Sequence, residues 1–283
     1  MRLFLLTSLT MIAFAANSVL NRMALAGGGI DAVSFGLIRL LSGAAVLALL
    51  CMVLRGGLRL GGAGRIAGVI ALLVYLYGFS TAYRGLDAGL GALILFGVVQ
   101  ITMFTWGLVQ AEPMPARRWF GAALAFSGLA WLLWPGGSTS VSLVHGLLMA
   151  LAGVGWGVYS LAGKLSRDAL QGTAANFILA APIGALVGYV LPAVEPTVLT
   201  TQGVVLAIVC GAVTSGMGYA LWYSVLPSLA SSVAAVAQLT VPVIAMAGGM
   251  IFLGEVLTLQ FALASLLVLG GVALSVIRWP KRR

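Results

Sequence analysis

The chain has 283 residues, of which 61% are hydrophobic and only 7% are charged, and its formal net charge is +9. A soluble domain carries roughly 25% charged residues, so this chain could not cover a folded surface that faces water. The composition excludes a soluble enzyme, a nucleic-acid binder and a disordered protein, and it predicts a surface that faces lipid. Cys51 and Cys210 both lie inside apolar runs, so no disulfide framework is indicated.

Ten apolar runs approach the length of about 20 residues that a helix needs to cross a bilayer. They are residues 3–25, 31–54, 65–83, 88–109, 117–134, 145–163, 173–191, 202–226, 229–253 and 256–277. The runs are too long for membrane strands and do not alternate with a period of two. The sequence therefore predicts an all-α integral membrane protein with ten transmembrane helices.

The first run has a second interpretation. Met1-Arg2, the apolar stretch that follows and Ala13-Phe14-Ala15 also resemble a secretory signal with its cleavage site. The apolar stretch continues to Leu25 and matches a later run, so we expect it to be retained as the first span.

The basic residues predict the orientation, because cytoplasmic connectors are enriched in Lys and Arg. With the N-terminus in the cytoplasm, the cytoplasmic side receives Arg2, Arg55, Arg59, Arg65, Arg117, Arg118, Lys164, Arg167, Arg278, Lys281, Arg282 and Arg283. The opposite side receives only Arg22 and Arg84, and Arg39 lies within a span. Both termini are predicted to be cytoplasmic.

The two halves of the chain, residues 1–135 and 145–283, resemble each other. The matches are segment 78–86 with 218–226, Phe14 with Trp156, Arg22 with Lys164, Gln100 with Gln238, Glu112 with Glu255 and Gly128 with Gly271. A chance match of apolar stretches is the alternative, but the order of the polar positions argues against it. Each half has five spans, an odd number, so the second half must enter the membrane from the opposite side. This pattern predicts a 5+5 inverted-topology repeat, as in many transporters.

Three segments of the second half resemble the EamA-type repeat of the drug/metabolite transporter (DMT) superfamily. They are Leu239-Thr240-Val241-Pro242-Val243 running to Leu253-Gly254-Glu255, then Leu269-Gly270-Gly271, and Ala152-Gly153-Val154-Gly155-Trp156-Gly157 leading to Lys164. The first half departs from the pattern, since Phe104 lies where a counterpart of Pro242 would fall. The resemblance implies ten helices, a central cavity and export of small metabolites. Within the superfamily the chain is most similar to bacterial aromatic amino-acid exporters, which implies the inner membrane.

Polar and aromatic side chains near the midplane indicate where a solute would bind. Polar groups at this depth are costly and usually face a cavity or another helix. A pocket of aromatic walls and amides suits a bulky, largely apolar solute. The residues expected to contact solute are Asn17, Tyr75, Phe79, Gln100, Trp156, Tyr159 and Gln238, between spans 1, 3, 4, 6, 8 and 9. The alternative for each polar one is a hydrogen bond between helices that serves packing only.

Arg39 and Pro242 are assigned structural or gating roles. Arg39 lies about 12 Å into its helix, and it could hold a substrate carboxylate or bond to helix-end carbonyls or an acid. Candidate acids on that side are Asp31, Asp87 and Glu255. Pro242 interrupts backbone hydrogen bonding one turn after Gln238, so it is a candidate hinge.

Several features are missing from the sequence. All six acids lie in connectors or at helix ends, whereas proton-coupled carriers usually place a titratable group in the path. We therefore expect a facilitator or exchanger. There is no HExxH motif, phosphate-binding loop or metal-ligand cluster, so we expect no enzyme activity, cofactor or metal. A channel, a polytopic membrane enzyme and a multidrug or cation efflux carrier are the alternatives. A monomer is compatible with the sequence, which leaves the oligomeric state open.

Overall fold

The computed structural model describes residues 1–111, 115–134, 142–190, 197–229 and 231–276, and it is helical throughout. The helices are α1 (Arg2–Ala26), α2 (Ala32–Arg55), α3 (Arg65–Ala82), α4 (Ala88–Val109), α5 (Ala116–Leu132), α6 (Leu143–Gly163), α7 (Ala169–Val190), α8 (Thr201–Val209), a π-helical segment (Cys210–Met217), α9 (Gly218–Val225), a 3-10 turn (Leu226–Ser228), α10 (Ser231–Gln238), α11 (Thr240–Leu253) and α12 (Leu259–Val276). Within these ranges, one isolated antiparallel bridge joins Ile30 to Leu199 and no strand forms. The all-helical prediction is confirmed.

Seven helical stretches in the described ranges are long and apolar enough to cross a membrane. They are α1, α2, α3, α4, α6, α7 and the continuous stretch Thr201–Ser228. Thr240–Leu253 and Leu259–Ser275 are shorter apolar helices, and α5 has 17 residues. The count of ten spans, the 5+5 repeat and the division into residues 1–135 and 145–283 stay predictions.

Some sequence predictions concern residues outside the described ranges. They are the acids Glu112 and Glu195 and the basic tail of Arg278, Lys281, Arg282 and Arg283.

The helices pack as a small set of pairs across the two halves of the chain. α2 packs on α7, α5 on α12, and α3 on α6. α1 contacts α8, the π-helical segment, α9 and α11, while α4 contacts α6 and α11. The buried core draws on α1 to α7, α9, α11 and α12 as well as the π-helical segment. The candidate functional site lies where α1, α2, α3, α6, the π-helical segment and α9 meet.

The contact between α5 and α12 depends on glycine. A Cβ atom added at Gly271 would lie 2.5 Å from the carbonyl oxygen of Gly121 and 2.7 Å from the backbone nitrogen of Ala125. A Cβ at Gly128 would lie 3.3 Å from the carbonyl oxygen of Ala264. Small residues let helix backbones approach this closely in membranes.

The neighbouring glycines of α12 provide a matched test of this contact. Gly271→Ala is expected to destabilise the protein by about 1–3 kcal/mol, because the added methyl group overpacks the α5–α12 contact. Gly270 has nothing within 4 Å of an added Cβ, so Gly270→Ala should leave the melting temperature in detergent unchanged or slightly raised. Equal melting temperatures for the two variants would contradict the close approach of these backbones.

Candidate functional site

A buried polar network joins α1 to the π-helical segment. Asn17 is 2% exposed, and its Oδ1 atom accepts three hydrogen bonds. The donors are Thr214 Oγ1 at 2.7 Å, Cys210 Sγ at 3.0 Å and Ser215 Oγ at 3.2 Å. A single amide oxygen therefore ties α1 to three positions of the facing helix.

Asn21 extends this network towards α3. It lies one turn beyond Asn17 on the same face of α1 and donates to Cys210 Sγ at 3.2 Å. Its Oδ1 atom accepts from Ser80 of α3 at 3.1 Å. The network thus connects α1, α3 and the π-helical segment without reaching an acidic side chain.

The π-helical segment gives the network its geometry. Its eight residues, Cys210–Met217, separate α8 from α9. π-helical turns inside α-helices are uncommon and often mark functional sites. Gly211 makes the close approach to α2 possible, because a Cβ there would overlap the Arg39 carbonyl oxygen and the Ser42 hydroxyl.

Arg39 lies at the centre of the site and is fully buried. Its Nε atom donates to Ser215 Oγ at 2.9 Å, and one terminal nitrogen donates to Tyr75 Oη and Tyr219 Oη, each at 3.1 Å. The Tyr219 hydroxyl donates to the Tyr75 hydroxyl at 2.9 Å. The acids considered as partners from the sequence form no ion pair with Arg39, so hydroxyl groups take their place.

An aromatic cluster surrounds these polar groups. Trp156 of α6 is 3% exposed, and its ring contacts four others. The centroid distances are 4.7 Å to Tyr219, 4.9 Å to Tyr75, 5.5 Å to Tyr159 and 5.8 Å to Phe14. Arg39 also faces rings, with its Cζ atom 5.1 Å from the Phe79 centroid and 5.4 Å from that of Tyr75.

The structure brings five of the seven predicted solute contacts into one buried group. These are Asn17, Tyr75, Phe79, Trp156 and Tyr159, each at most 3% exposed. Gln100 and Gln238 are half-buried, and no described contact joins them to this group. Contact between any of the seven and a solute stays a prediction.

The proposed hinge coincides with a break in the helix. α10 ends at Gln238, Leu239 is a turn, and α11 begins at Thr240, two residues before Pro242. The backbone is therefore interrupted where the sequence suggests a kink. A gating role for Pro242 stays a prediction.

Four members of the centre are absent from the predicted solute contacts: Phe14, Ser215, Tyr219 and Phe177. Ser215 and Tyr219 are four residues apart and both bond to Arg39. Phe177 of α7 lies 6.0 Å from the Tyr219 ring. The repeat offered a signal for one of them, since Phe14 aligns with Trp156 and the two rings touch at 5.8 Å.

One end of the bundle, predicted to face outward, is closed by charged groups. Arg22 of α1 lies 3.3 Å from Asp87 and 3.6 Å from Glu255. The Glu255 side chain is only 5% exposed, and its two oxygens accept the N–H of Ala88 at 2.9 and 3.0 Å. These contacts tie together α1, the start of α4 and the connector between α11 and α12.

The opposite end, predicted to face the cytoplasm, holds a cavity of about 480 Å³. Its lining includes Arg55, Arg59, Arg65, Arg167, Asp168 and Gln171. A void of about 10 Å³, near the size of one water molecule, adjoins it and reaches Tyr159 and Tyr223. The two spaces share the lining residues Ala63, Arg65, Ser166 and Gly172.

Asp168 joins α2 to the start of α7 at this end of the bundle. It lies 2.6 Å from Arg55 Nε and accepts the backbone N–H groups of Leu170 and Gln171. Burial favours a higher pKa of the Asp168 carboxyl, but Arg55 and the two N–H groups outweigh it and hold that pKa below the ordinary value. The carboxylate is therefore ionised at neutral pH and pairs α2 with the start of α7.

Long apolar helices around a buried polar and aromatic centre define a polytopic membrane protein of the transporter type. The EamA-like transporter family matches residues 145–277 by its sequence profile. The chain is also 45% identical over 280 residues to an uncharacterized protein of Pseudomonas aeruginosa, PA1977, with 96% of this chain and 94% of that protein covered. The chain belongs to the EamA-like transporter family and is a multi-pass membrane transporter of the DMT superfamily.

Two further comparisons agree with this assignment. The chain is 25% identical over 140 residues to the uncharacterized transporter YoaV of Bacillus subtilis, which covers 48% of each sequence. A crystal structure with 18% sequence identity matches with a TM-score of 0.61, covering 94% of this chain and 95% of that one. At this level of identity the match shows a shared fold alone.

Proposed function

We propose that this protein exports small, largely apolar or aromatic metabolites, amino acids foremost, across a bacterial inner membrane. The observation that carries the proposal is the buried centre in which the Trp156 ring cluster meets the hydrogen-bonded network of Asn17 and Arg39. Aromatic walls with a few convergent polar groups suit a flat solute with one polar end. One chain supplies the whole centre, so a monomer suffices.

The packing of the helices supports a 5+5 inverted repeat and hence alternating access. In the predicted repeat, span 2 (α2) is the counterpart of span 7 (α7), and span 5 (α5) is the counterpart of span 10 (α12). The α2–α7 and α5–α12 contacts therefore each join a helix to its own counterpart. Spans 3 and 8 are also counterparts, as are spans 6 and 1. The α3–α6 contact therefore has an equivalent in the contact between the stretch Thr201–Ser228 and α1. One structural unit in two orientations supplies conformations open to either side.

The position of the acids supports a facilitator or exchanger. The described acids are Asp31, Asp87, Asp168 and Glu255, and each lies in a connector. Within the described ranges, the centre around Arg39 contains hydroxyl, amide and thiol groups but no carboxylate. A carrier of this kind moves its solute down a gradient.

Efflux of drugs or cations is the second candidate within the superfamily. Against it, the buried guanidinium of Arg39 would repel a cationic solute at the point where the aromatic rings converge. A channel or a membrane enzyme would need a polar filter or a catalytic group, and the centre consists mainly of packed rings.

Counterflow in liposomes tests the proposed function. Purified protein in vesicles loaded with unlabelled phenylalanine is expected to accumulate labelled phenylalanine transiently and saturably, with or without a pH gradient. Protein-free vesicles are the control. Concentrative uptake that requires a pH gradient would contradict the facilitator, and linear flux without counterflow would indicate a channel. Uptake of aromatic cations but not of amino acids would favour the efflux candidate.

A further inference from the structure

Arg39 carries a charge that the described protein does not balance. It is fully buried, and no ion pair of the described residues includes it. Its three partners, Ser215, Tyr75 and Tyr219, are neutral hydroxyl groups. Among the described residues, the Nη1 atom of the guanidinium has no hydrogen-bond partner. A buried, unpaired donor of a charged group is costly, and such residues in membranes usually mark a substrate path.

The groups around Arg39 supply more donors than acceptors. A guanidinium has five N–H bonds and cannot accept. Tyr219 donates to Tyr75, and no described acceptor receives the hydrogen of Tyr75 itself. Asn17 Oδ1 is already shared by three donors, among them Ser215. The centre therefore lacks an acceptor, and a negatively charged acceptor would satisfy both the charge and the free hydrogens.

We propose that the transported solute carries a carboxylate, which the Nη1 atom of Arg39 and the Tyr75 hydroxyl bind. This proposal rests on the proposed export function and adds the chemical group that the site recognises. The rings of Trp156 and Phe79 lie beside Tyr75, at 4.9 and 5.2 Å between centroids, so the apolar part of the solute packs there. A hydrogen bond from a charged guanidinium to a carboxylate is about twice as strong as a bond between neutral groups, and the second bond, from the Tyr75 hydroxyl, fixes the orientation.

A recognised carboxylate also predicts which solutes are rejected. An amide or an amine at the same position cannot supply the missing negative charge. The amine would place a second positive charge next to Arg39. A solute that lacks a group which a buried site is built to bind is rejected far more strongly than one that lacks a methylene group.

The test is competition against counterflow of labelled phenylalanine in liposomes that contain the full chain. The competitors are unlabelled phenylalanine, 3-phenylpropionate, phenylalaninamide and phenethylamine. The two carboxylates are expected to compete, and the amide and the amine to be weaker by about tenfold or more. Equal competition by all four would overturn the carboxylate site while export of aromatic solutes stands. No counterflow with phenylalanine would contradict the export function itself.

Two tyrosines of α3 provide matched variants that retain the ring. Tyr75→Phe removes the hydroxyl beside Arg39 and is expected to reduce the preference for 3-phenylpropionate over phenethylamine by about tenfold. Tyr77→Phe removes a hydroxyl that donates to the Gly184 carbonyl at 3.0 Å, away from Arg39, and should leave the preference unchanged. The melting temperature of each purified variant verifies folding. An unchanged preference in folded Tyr75→Phe would overturn the assignment.

Charge replacement at Arg39 gives a second measurement. Arg39→Lys keeps the positive charge but loses the planar group whose other nitrogens bind Ser215, Tyr75 and Tyr219, so the carboxylate preference should fall yet persist. Arg39→Gln should abolish it. A folded Arg39→Gln protein that still prefers carboxylates over amines would contradict the proposal.

Discussion

Replacing Trp156 by alanine is expected to lower the counterflow of aromatic solutes by about tenfold or more. Each lost ring–ring contact is worth about 0.5–1.5 kcal/mol beyond simple burial, and tenfold corresponds to about 1.4 kcal/mol. Trp156 contacts four rings of the centre, so its removal opens a gap at the site where we expect the solute to bind. Initial rates over a range of phenylalanine concentrations measure the effect.

Two controls separate a binding role from a structural one. Trp134 is 70% exposed, and Trp134→Ala should transport normally. Trp156→Phe keeps an aromatic surface and is expected to raise the half-saturating concentration more than it lowers the maximal rate. If Trp156→Ala and the more peripheral Gln100→Ala both transport normally at normal membrane levels, the solute binds elsewhere.

The helical architecture could be read from the sequence because a bilayer imposes long, uninterrupted apolar runs. The predicted run 3–25 corresponds to Arg2–Ala26, and the run 88–109 corresponds to Ala88–Val109. A connector glycine can mark a helix end, as at Gly56, whose left-handed backbone ends α2. The later helices were harder to delimit, because few polar residues separate them.

The site could be predicted only in part, since depth along a helix does not reveal which neighbour a side chain faces. Asn17 and Trp156 were recognised by depth and chemistry, and they do lie in one centre. The partners of Arg39 are not predictable in this way, because acids are the usual counter-charges of a buried arginine, whereas hydroxyl groups of distant helices bind it here. The π-helical segment is equally invisible in the sequence, and its geometry decides that Thr214 and Ser215 both face Asn17.

Removing the Glu255 side chain is expected to open the end of the bundle that is predicted to face outward. Its carboxylate accepts the N–H of Ala88 at the start of α4 and lies near Arg22. Glu255→Ala leaves both donors without this acceptor, at a cost of about 1–3 kcal/mol for each buried one. The population of the closed state should therefore fall, and that of a state in which water hydrates these groups should rise.

The two cysteines of the chain make this opening measurable. Cys51→Ala leaves Cys210 as the sole thiol, buried and bonded to Asn21 one residue before Arg22. A membrane-impermeant thiol reagent added outside should label Cys210 at least about tenfold faster in Glu255→Ala, in proportion to the shifted population. Asp168→Ala, which breaks the Arg55 ion pair at the other end, is the matched control and should not raise the rate. Equal labelling in all three backgrounds would show that Glu255 does not hold the outer side closed.

The same carboxyl predicts a direction for the effect of pH. Burial raises the pKa of Glu255 above its ordinary value, and the N–H of Ala88 and the Arg22 guanidinium only partly offset this. The closed state therefore binds a proton more tightly than a state in which Glu255 is hydrated. This contribution to closure is complete below the ordinary pKa and is lost as pH rises through the raised one. Labelling of Cys210, relative to that in Glu255→Gln at the same pH, should accordingly speed up with rising pH. Glu255→Gln retains an oxygen for the Ala88 N–H and cannot titrate, so a parallel pH profile in both proteins would rule out Glu255 as the responsible group.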